Sequence, residues 1–187
     1  LGIDPKAVEA AITPKTKAIV VTHLYGIPAR IQELQAIAQR HNLFLIEDAA
    51  EALGATVKNA SGQEQHVGTF GTVGCFSFNG NKVITCGGGG MLVTNSPTVA
   101  NKVHHLSIQA RESGTIEVSH DDIGHNSRMN GIQAAMGIAQ LAKLDQFVQR
   151  KREIAHRYAE FFTSLKDIHS FYTPRNLPRS HPSYWLS

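Results

Sequence analysis

The sequence predicts an α/β fold, on three observations. Residues 17–48 read as strand, helix and strand with short connections. Residues 74–94 hold two further apolar runs separated by four glycines, and residues 131–165 are helical in pattern throughout.

Taken in order, Asp4 followed by Pro5 is an N-cap and first helical residue, with Val8 and Ile12 as the apolar edge of a short helix. "KAIVVT" (17–22) is a β-branched run too short for a helix and suited to a buried strand. Ile31, Leu34, Ile37 and Ala38 recur at helical spacing, so "RIQELQAIAQRH" is an amphipathic helix, and "LFLIED" (43–48) is a second buried strand. Strand, helix, strand with short links is a βαβ unit, expected to be parallel and right-handed. "GCFSF" and "GGMLVT" form a further strand pair. Ser96 and Pro97 open a helix with Val99, Val103 and Leu106 on one side. Two helical segments then fill 131–165, with Leu141, Leu144, Val148, Ile154, Tyr158 and Phe161 expected in a buried stripe. The proline-rich segment from Phe171 onward reads as a linker or the first strand of another domain.

Composition narrows the function. A hydrophobic fraction of 42% with 18% charged residues is that of a soluble globular protein. No apolar run approaches the roughly 20 residues of a membrane helix, and a cytoplasmic location with no membrane partner is expected. Eighteen Lys and Arg against 15 Asp and Glu give +3, with the signs mixed apart from "QRKR" at 149–152. That is too weak for a nucleic-acid footprint, though it would not repel an acidic small molecule. Cys75 and Cys86 lack CxxC spacing and are expected to be free thiols.

In open α/β sheets, polar groups just past the carboxyl ends of strands line the ligand crevice. Three clusters qualify: "THLYG" (22–26), "EDAAE" (47–51) and "SFNGNK" (77–82). Each has a plain structural alternative. Asp48 can cap a helical turn over "AAEALGA", Ser77 can be satisfied within the sheet, and Lys82 can be a solvated loop charge. Together, however, the three suit one cofactor. A strand-end carboxylate can pair with a pyridinium nitrogen, a lysine can bond an aldehyde on the same ring, and a nearby hydroxyl can donate to a phosphate. "HDDIGHN" (120–126) offers histidines and aspartates but no i, i+4 histidine pair, so no metal site is expected there. "CGGGGML" lacks the lysine and hydroxyl of a P-loop; its glycines suit a tight turn close to a ligand or a neighbouring subunit.

"VTHLYGIPA", "LFLIEDAAEALGA", "VGTFGTVGCFSFNGNKVITCGGGGMLVTN" and "GHNSRMNGIQAAMGIAQL", in that order, resemble the sugar aminotransferases of the DegT/DnrJ/StrS type. These are pyridoxal-phosphate enzymes of the aspartate-aminotransferase (type I) fold. The closest likeness is to the subgroup that makes amino sugars for surface glycans and nonulosonic acids. The resemblance implies that Lys82 holds pyridoxal 5'-phosphate covalently and moves the proton during transfer. It implies that Asp48 pairs with the pyridine nitrogen and that Ser77 binds the phosphate. Glu51 stands where many members have a glutamine beside the ring. His23 matches the histidine of "HLYG", near the cofactor, although a strand-end histidine is as often structural. Asn126 matches an asparagine that reaches the cofactor phosphate of the other subunit, implying a homodimer with shared sites. Arg128 is a candidate for an anionic substrate group, with a structural ion pair as the alternative.

The implied reaction is transfer of an amine from an amino acid, glutamate by resemblance, to a nucleotide-linked keto sugar. Relatives that dehydrate a sugar replace the lysine with histidine, and a non-catalytic sensor on the same fold is a third possibility. Family members are roughly twice this length. The resemblance therefore implies a fragment: residues 1–168 as the central part of the large, cofactor-binding domain with a mainly parallel mixed sheet, and 169–187 as a linker and the start of a truncated small domain.

Overall fold

The computed structural model describes residues 2–59, 61–112, 114, 118–164 and 179–186. Helix α1 (Pro5–Ala10) starts as expected, with the Asp4 side chain accepting the Lys6 N–H at its N-terminus. Strand β1 (Ala18–Thr22), helix α2 (Ile31–Arg40) and strand β2 (Phe44–Asp48) follow, and β1 pairs with β2 in parallel, Thr22 opposite Asp48. Strand β5 (Val73–Ser77) extends the sheet in parallel with Asp48 opposite Cys75, and β6 (Gly90–Val93) closes it in the antiparallel sense. The order is β1-β2-β5-β6. This is the mixed, mainly parallel sheet the sequence predicts.

The crossover from β2 to β5 carries an element that is not legible in the sequence. A short hairpin of β3 (Thr56–Lys58) and β4 (Glu64–His66) is joined on its other edge by β7 (Ser180–His181), making a second sheet of order β4-β3-β7. The proline-rich tail therefore returns to the body of the chain at this point; residues 165–178 lie outside the described residues.

The core lies between α2 and the sheet. Ile31, Leu34, Ile37 and Ala38 of α2 are buried against Ile19, Val21 and Leu45, joined by Ala49, Ala52 and Ala55 after β2. The opposite face is open at the β1 end, where Val20 and Phe44 are exposed, so β1 and β2 alternate rather than being buried on both sides. Helix α3 (Pro97–Ser107) is capped by Ser96, whose hydroxyl accepts the Val99 N–H. Helices α4 (Gly131–Leu141) and α5 (Leu144–Ser164) match the two predicted segments. Their predicted stripe is not buried as a whole: Val148 is, Leu144 and Ile154 are half-buried, and Leu141, Tyr158 and Phe161 are exposed. The periodicity marks an apolar face correctly, but the described residues cover only its first part. None of these helices is long and apolar enough to cross a membrane.

Candidate active site

Parallel register places the carboxyl ends of β1, β2 and β5 on one edge, and the site is built there. Asp48 ends β2 opposite Thr22 and Cys75, and Ser77 lies two residues beyond Cys75 on the adjoining strand. One Asp48 carboxylate oxygen accepts the Ala50 N–H, and its carbonyl accepts the His23 N–H. The predicted helical turn over "AAEALGA" does not form a helix; Ala52 and Ala55 each bond back three residues in successive turns. Burial, and secondarily the nearby Asp48 carboxylate, pushes the Cys75 thiol above its ordinary range. Both cysteines are free thiols, with Cys86 buried.

Past β5 the chain folds back on itself. The Ser77 hydroxyl accepts the Asn79 N–H, and the Lys82 N–H donates to the Asn79 carbonyl. The Phe78 carbonyl takes both the Thr85 hydroxyl and the Cys86 N–H, while the Phe78 N–H donates to Gly89. Gly87 and Gly89 adopt φ +77° and +88°, the left-handed backbone that a tight return into β6 requires. Phe78, Ile84 and Cys86 form a small apolar cluster beneath this loop, packed by Met129 and Leu144.

This loop turns Lys82 inward. Its side chain is only 13% exposed, and Nζ lies 3.7 Å from Glu51 Oε1. The same amine sits over the Trp185 indole, 4.1 Å from the ring centroid. Glu51 also accepts the Tyr25 N–H at 2.8 Å. Tyr25 itself is held at φ 57°, in a left-handed conformation costly for a bulky residue, and its ring stacks on Trp185 with centroids 6.5 Å apart. The strand-end reading thus brings Lys82 and Glu51 together, and adds Tyr25 and Trp185.

His23 occupies a different setting. Fully buried, it lies 3.0 Å through Nε2 from Glu47 Oε2, and its Nδ1 accepts the Ala29 N–H, which fixes Nε2 as the donor. Glu47, also fully buried, further accepts the N–H groups of Gly68, Phe70 and Gly71 at 2.6–2.7 Å. Both ring nitrogens of His23 are therefore engaged by the protein. Glu47 stands two residues after Leu45 on the same core-facing side of β2, a readable signal that a strand-end reading centred on Asp48 does not use.

Asn126 and Arg128 are exposed, on the segment that leads into α4. That segment is set by its surroundings: Asn126 forms an antiparallel bridge with Ile108, and the Ser127 N–H donates to Ser107. In the preceding loop, Asp122 pairs with Lys102, Asp121 lies 2.5 Å from His105 Nε2, and His120 Nδ1 lies 2.7 Å from the Gln109 carbonyl. The side chains of His120, Asp121 and Asp122 thus fasten the loop to α3 and its exit.

The chain matches the DegT/DnrJ/EryC1/StrS aminotransferase family over residues 1–187. It is 46% identical over 162 residues to the GDP-perosamine synthase of Escherichia coli O157:H7, an alignment that covers 87% of this chain and 43% of that protein. The GDP-perosamine synthase of Vibrio cholerae is 38% identical over 188 residues, covering 100% of this chain and 48% of the relative. Among solved structures, Helicobacter pylori PseC, an aminotransferase involved in the biosynthesis of pseudoaminic acid, superposes with a TM-score of 0.87 at 32% identity. That superposition covers 99% of this chain and 48% of PseC. The chain spans about half the length of the curated relatives it matches. The match over the whole chain and the likeness to these relatives show that the chain belongs to the DegT/DnrJ/EryC1/StrS aminotransferase family.

Proposed function

We propose that this chain carries the cofactor-binding part of a pyridoxal-phosphate-dependent sugar aminotransferase. The observation that carries the reading is the Lys82 amine, turned inward beside the carboxyl ends of β2 and β5 and paired with Glu51. A lysine serving only solubility would extend into water.

The donor set fits pyridoxal 5'-phosphate. An amine in the loop after β5, a carboxylate at the end of β2 and a hydroxyl at the end of β5 are groups that could hold, respectively, its aldehyde carbon, its ring nitrogen and its phosphate. When bound, the cofactor supplies an electron sink that lets a proton leave the carbon bearing the amine. The protein's part is binding, orientation and proton movement. Lys82 would hold the cofactor covalently and, once displaced by the amino acid, move the proton at Nζ. Asp48 would keep the ring nitrogen protonated; opposite charges about 4 Å apart at an effective dielectric near 20 attract by about 4 kcal/mol. Ser77 would donate to the phosphate. His23 would act from behind, since its bond to the Asp48 carbonyl runs through its own backbone N–H. Glu51 would set the position of Lys82 between turnovers.

The amine donor in this reading is an amino acid, glutamate, and the acceptor a nucleotide-linked keto sugar used for surface polysaccharide or other amino-sugar products. Arg128 is assigned to an anionic group of that substrate, and Asn126 to the cofactor phosphate of a second subunit in a cytoplasmic homodimer. Residues 1–168 belong to the large domain and 169–187 lead into the small one. Lysine at position 82 favours transamination over the related sugar dehydration, for which histidine would be expected there.

The test is Lys82→Ala in the cofactor-loaded enzyme. It should abolish both amine transfer from glutamate to a panel of nucleotide keto sugars and the borohydride-trapped adduct on the tryptic peptide. A reducible adduct persisting in that variant would overturn the assignment.

A further inference from the structure

Trp185 is 103 residues from Lys82 in sequence, yet its docking there is built by several independent contacts. Its indole N–H donates to the Asn81 carbonyl at 2.6 Å, next to Lys82, and its backbone N–H donates to Tyr25 at 3.0 Å. Two residues earlier, the Ser183 N–H donates to Gly26 at 2.9 Å, closing the segment onto the turn after β1. Helix α5 clamps the same segment from outside. Lys151 Nζ donates to the Trp185 carbonyl at 3.0 Å, and Arg152 donates to the carbonyls of Pro182, His181 and Gly54. Lys151 and Arg152 of the basic run at 149–152 thereby act as a fastening, while Arg150 stays exposed and pairs with Glu153 on the same helix.

We propose that Trp185 is a positioning residue for Lys82: its indole face fixes the place of Nζ opposite Glu51 and closes one side of the amine to solution. Three features combine. The indole is only 8% exposed and rigidly tethered, an ammonium 4.1 Å from a tryptophan ring centroid is an attractive contact, and the carboxylate of Glu51 stands 3.7 Å from the same nitrogen. An aldehyde or an incoming amino acid must therefore approach Lys82 from the side away from the indole. The inference rests on the reading of Lys82 as the cofactor lysine only for its catalytic meaning; the covering of the amine is tested without cofactor.

The experiment is competitive acetylation of the intact protein by acetic anhydride, read peptide by peptide by mass spectrometry, with exposed Lys6, Lys15 and Lys143 as internal references. Trp185→Leu should raise the rate at Lys82 by about two- to thirtyfold relative to those references, the range that the strength of an ammonium–ring contact allows. Trp185→Phe, which keeps a ring face and loses the bond to Asn81, should stay much nearer to the parent. If Trp185→Leu does not fold, Lys151→Met loosens the segment from outside the pocket and should also speed Lys82 selectively. An unchanged Lys82 rate, or an equal rise at every lysine, would overturn the proposal. Failure of the cofactor assignment would show separately, as a reducible adduct surviving Lys82→Ala.

Discussion

Glu47 and His23 face each other 3.0 Å apart with both side chains fully buried, and neither is left with an unmatched polar atom. Glu47 ties β2 to the 68–71 turn, while His23 ties the end of β1 to Ala29. Breaking such a pair strands donors in a dry place. Glu47→Ala should cost about 3–5 kcal/mol of stability and Glu47→Gln, which keeps the shape and one acceptor, about 1–3 kcal/mol. Urea denaturation measures both; a loss below about 1 kcal/mol for the alanine variant would mean that water replaces the carboxylate.

Asp48→Asn separates charge from structure. The amide oxygen can still accept the Ala50 N–H, so the fold and the Lys82 adduct should persist. On the proposed reading of Asp48 as the partner of the ring nitrogen, that charge is lost, and turnover should fall by about 10²- to 10³-fold if most of the ~4 kcal/mol attraction operates in the transition state. Parallel measurement of adduct yield and turnover distinguishes this from unfolding.

Gly26 lies at φ +77°, and an added Cβ would sit 2.4 Å from Ser183 Oγ and 2.9 Å from the Trp185 nitrogen. Gly26→Ala should therefore push the 183–186 segment off the β1 turn and cost about 1–3 kcal/mol. Trp185 is the single tryptophan of the chain, so its emission should shift to the red as the indole enters water. Unshifted emission would show that the segment adapts.

The loop before α4 should respond to pH at both extremes. Its bond to Lys102, then the Ile123 N–H, hold the Asp122 carboxyl below its ordinary range, and the same pairing holds Lys102 above its own. A depressed carboxyl contributes docking strength above its unfolded value and loses it as pH falls through the folded one. A raised amine contributes below its unfolded value and loses it as pH rises. The contribution of the Asp122–Lys102 pair should be even from about pH 5 to 10 and weaken outside that window. Exchange of the His125 and Ser127 amides, which bond to Leu106 and Ser107, reads this out. Both side chains are exposed, so molar salt should weaken the pairing at neutral pH; salt-independent protection would argue that the backbone bridges alone hold the loop.

Long apolar periods were the most legible part of the fold. Helix α2 and its two strands follow from Ile31, Leu34, Ile37 and Ala38 set against β-branched neighbours. Strands of two or three residues carry no period to read, and β7 finds its partner β3 more than 120 residues earlier, so the second sheet was invisible. Three-dimensional placement explains the site in the same way. Asp48 and Ser77 stand at strand ends and Lys82 in the loop that follows β5, so all three could be found locally. Glu47 was masked by its acidic neighbour, and Trp185 has no local signal that it docks at all. Tyr158 and Phe161 show the converse, a clear helical stripe that is exposed among the described residues.

The contact between Gly26 and Ser183 spans 157 residues, and this distance sets an order of events during synthesis. Chains emerge at about 5–20 residues per second, so the 103 residues separating Lys82 from Trp185 take about 5–20 s to appear. For that interval the floor of the pocket can form while its amine stands uncovered. The nascent chain should therefore capture an aldehyde more readily than the finished protein.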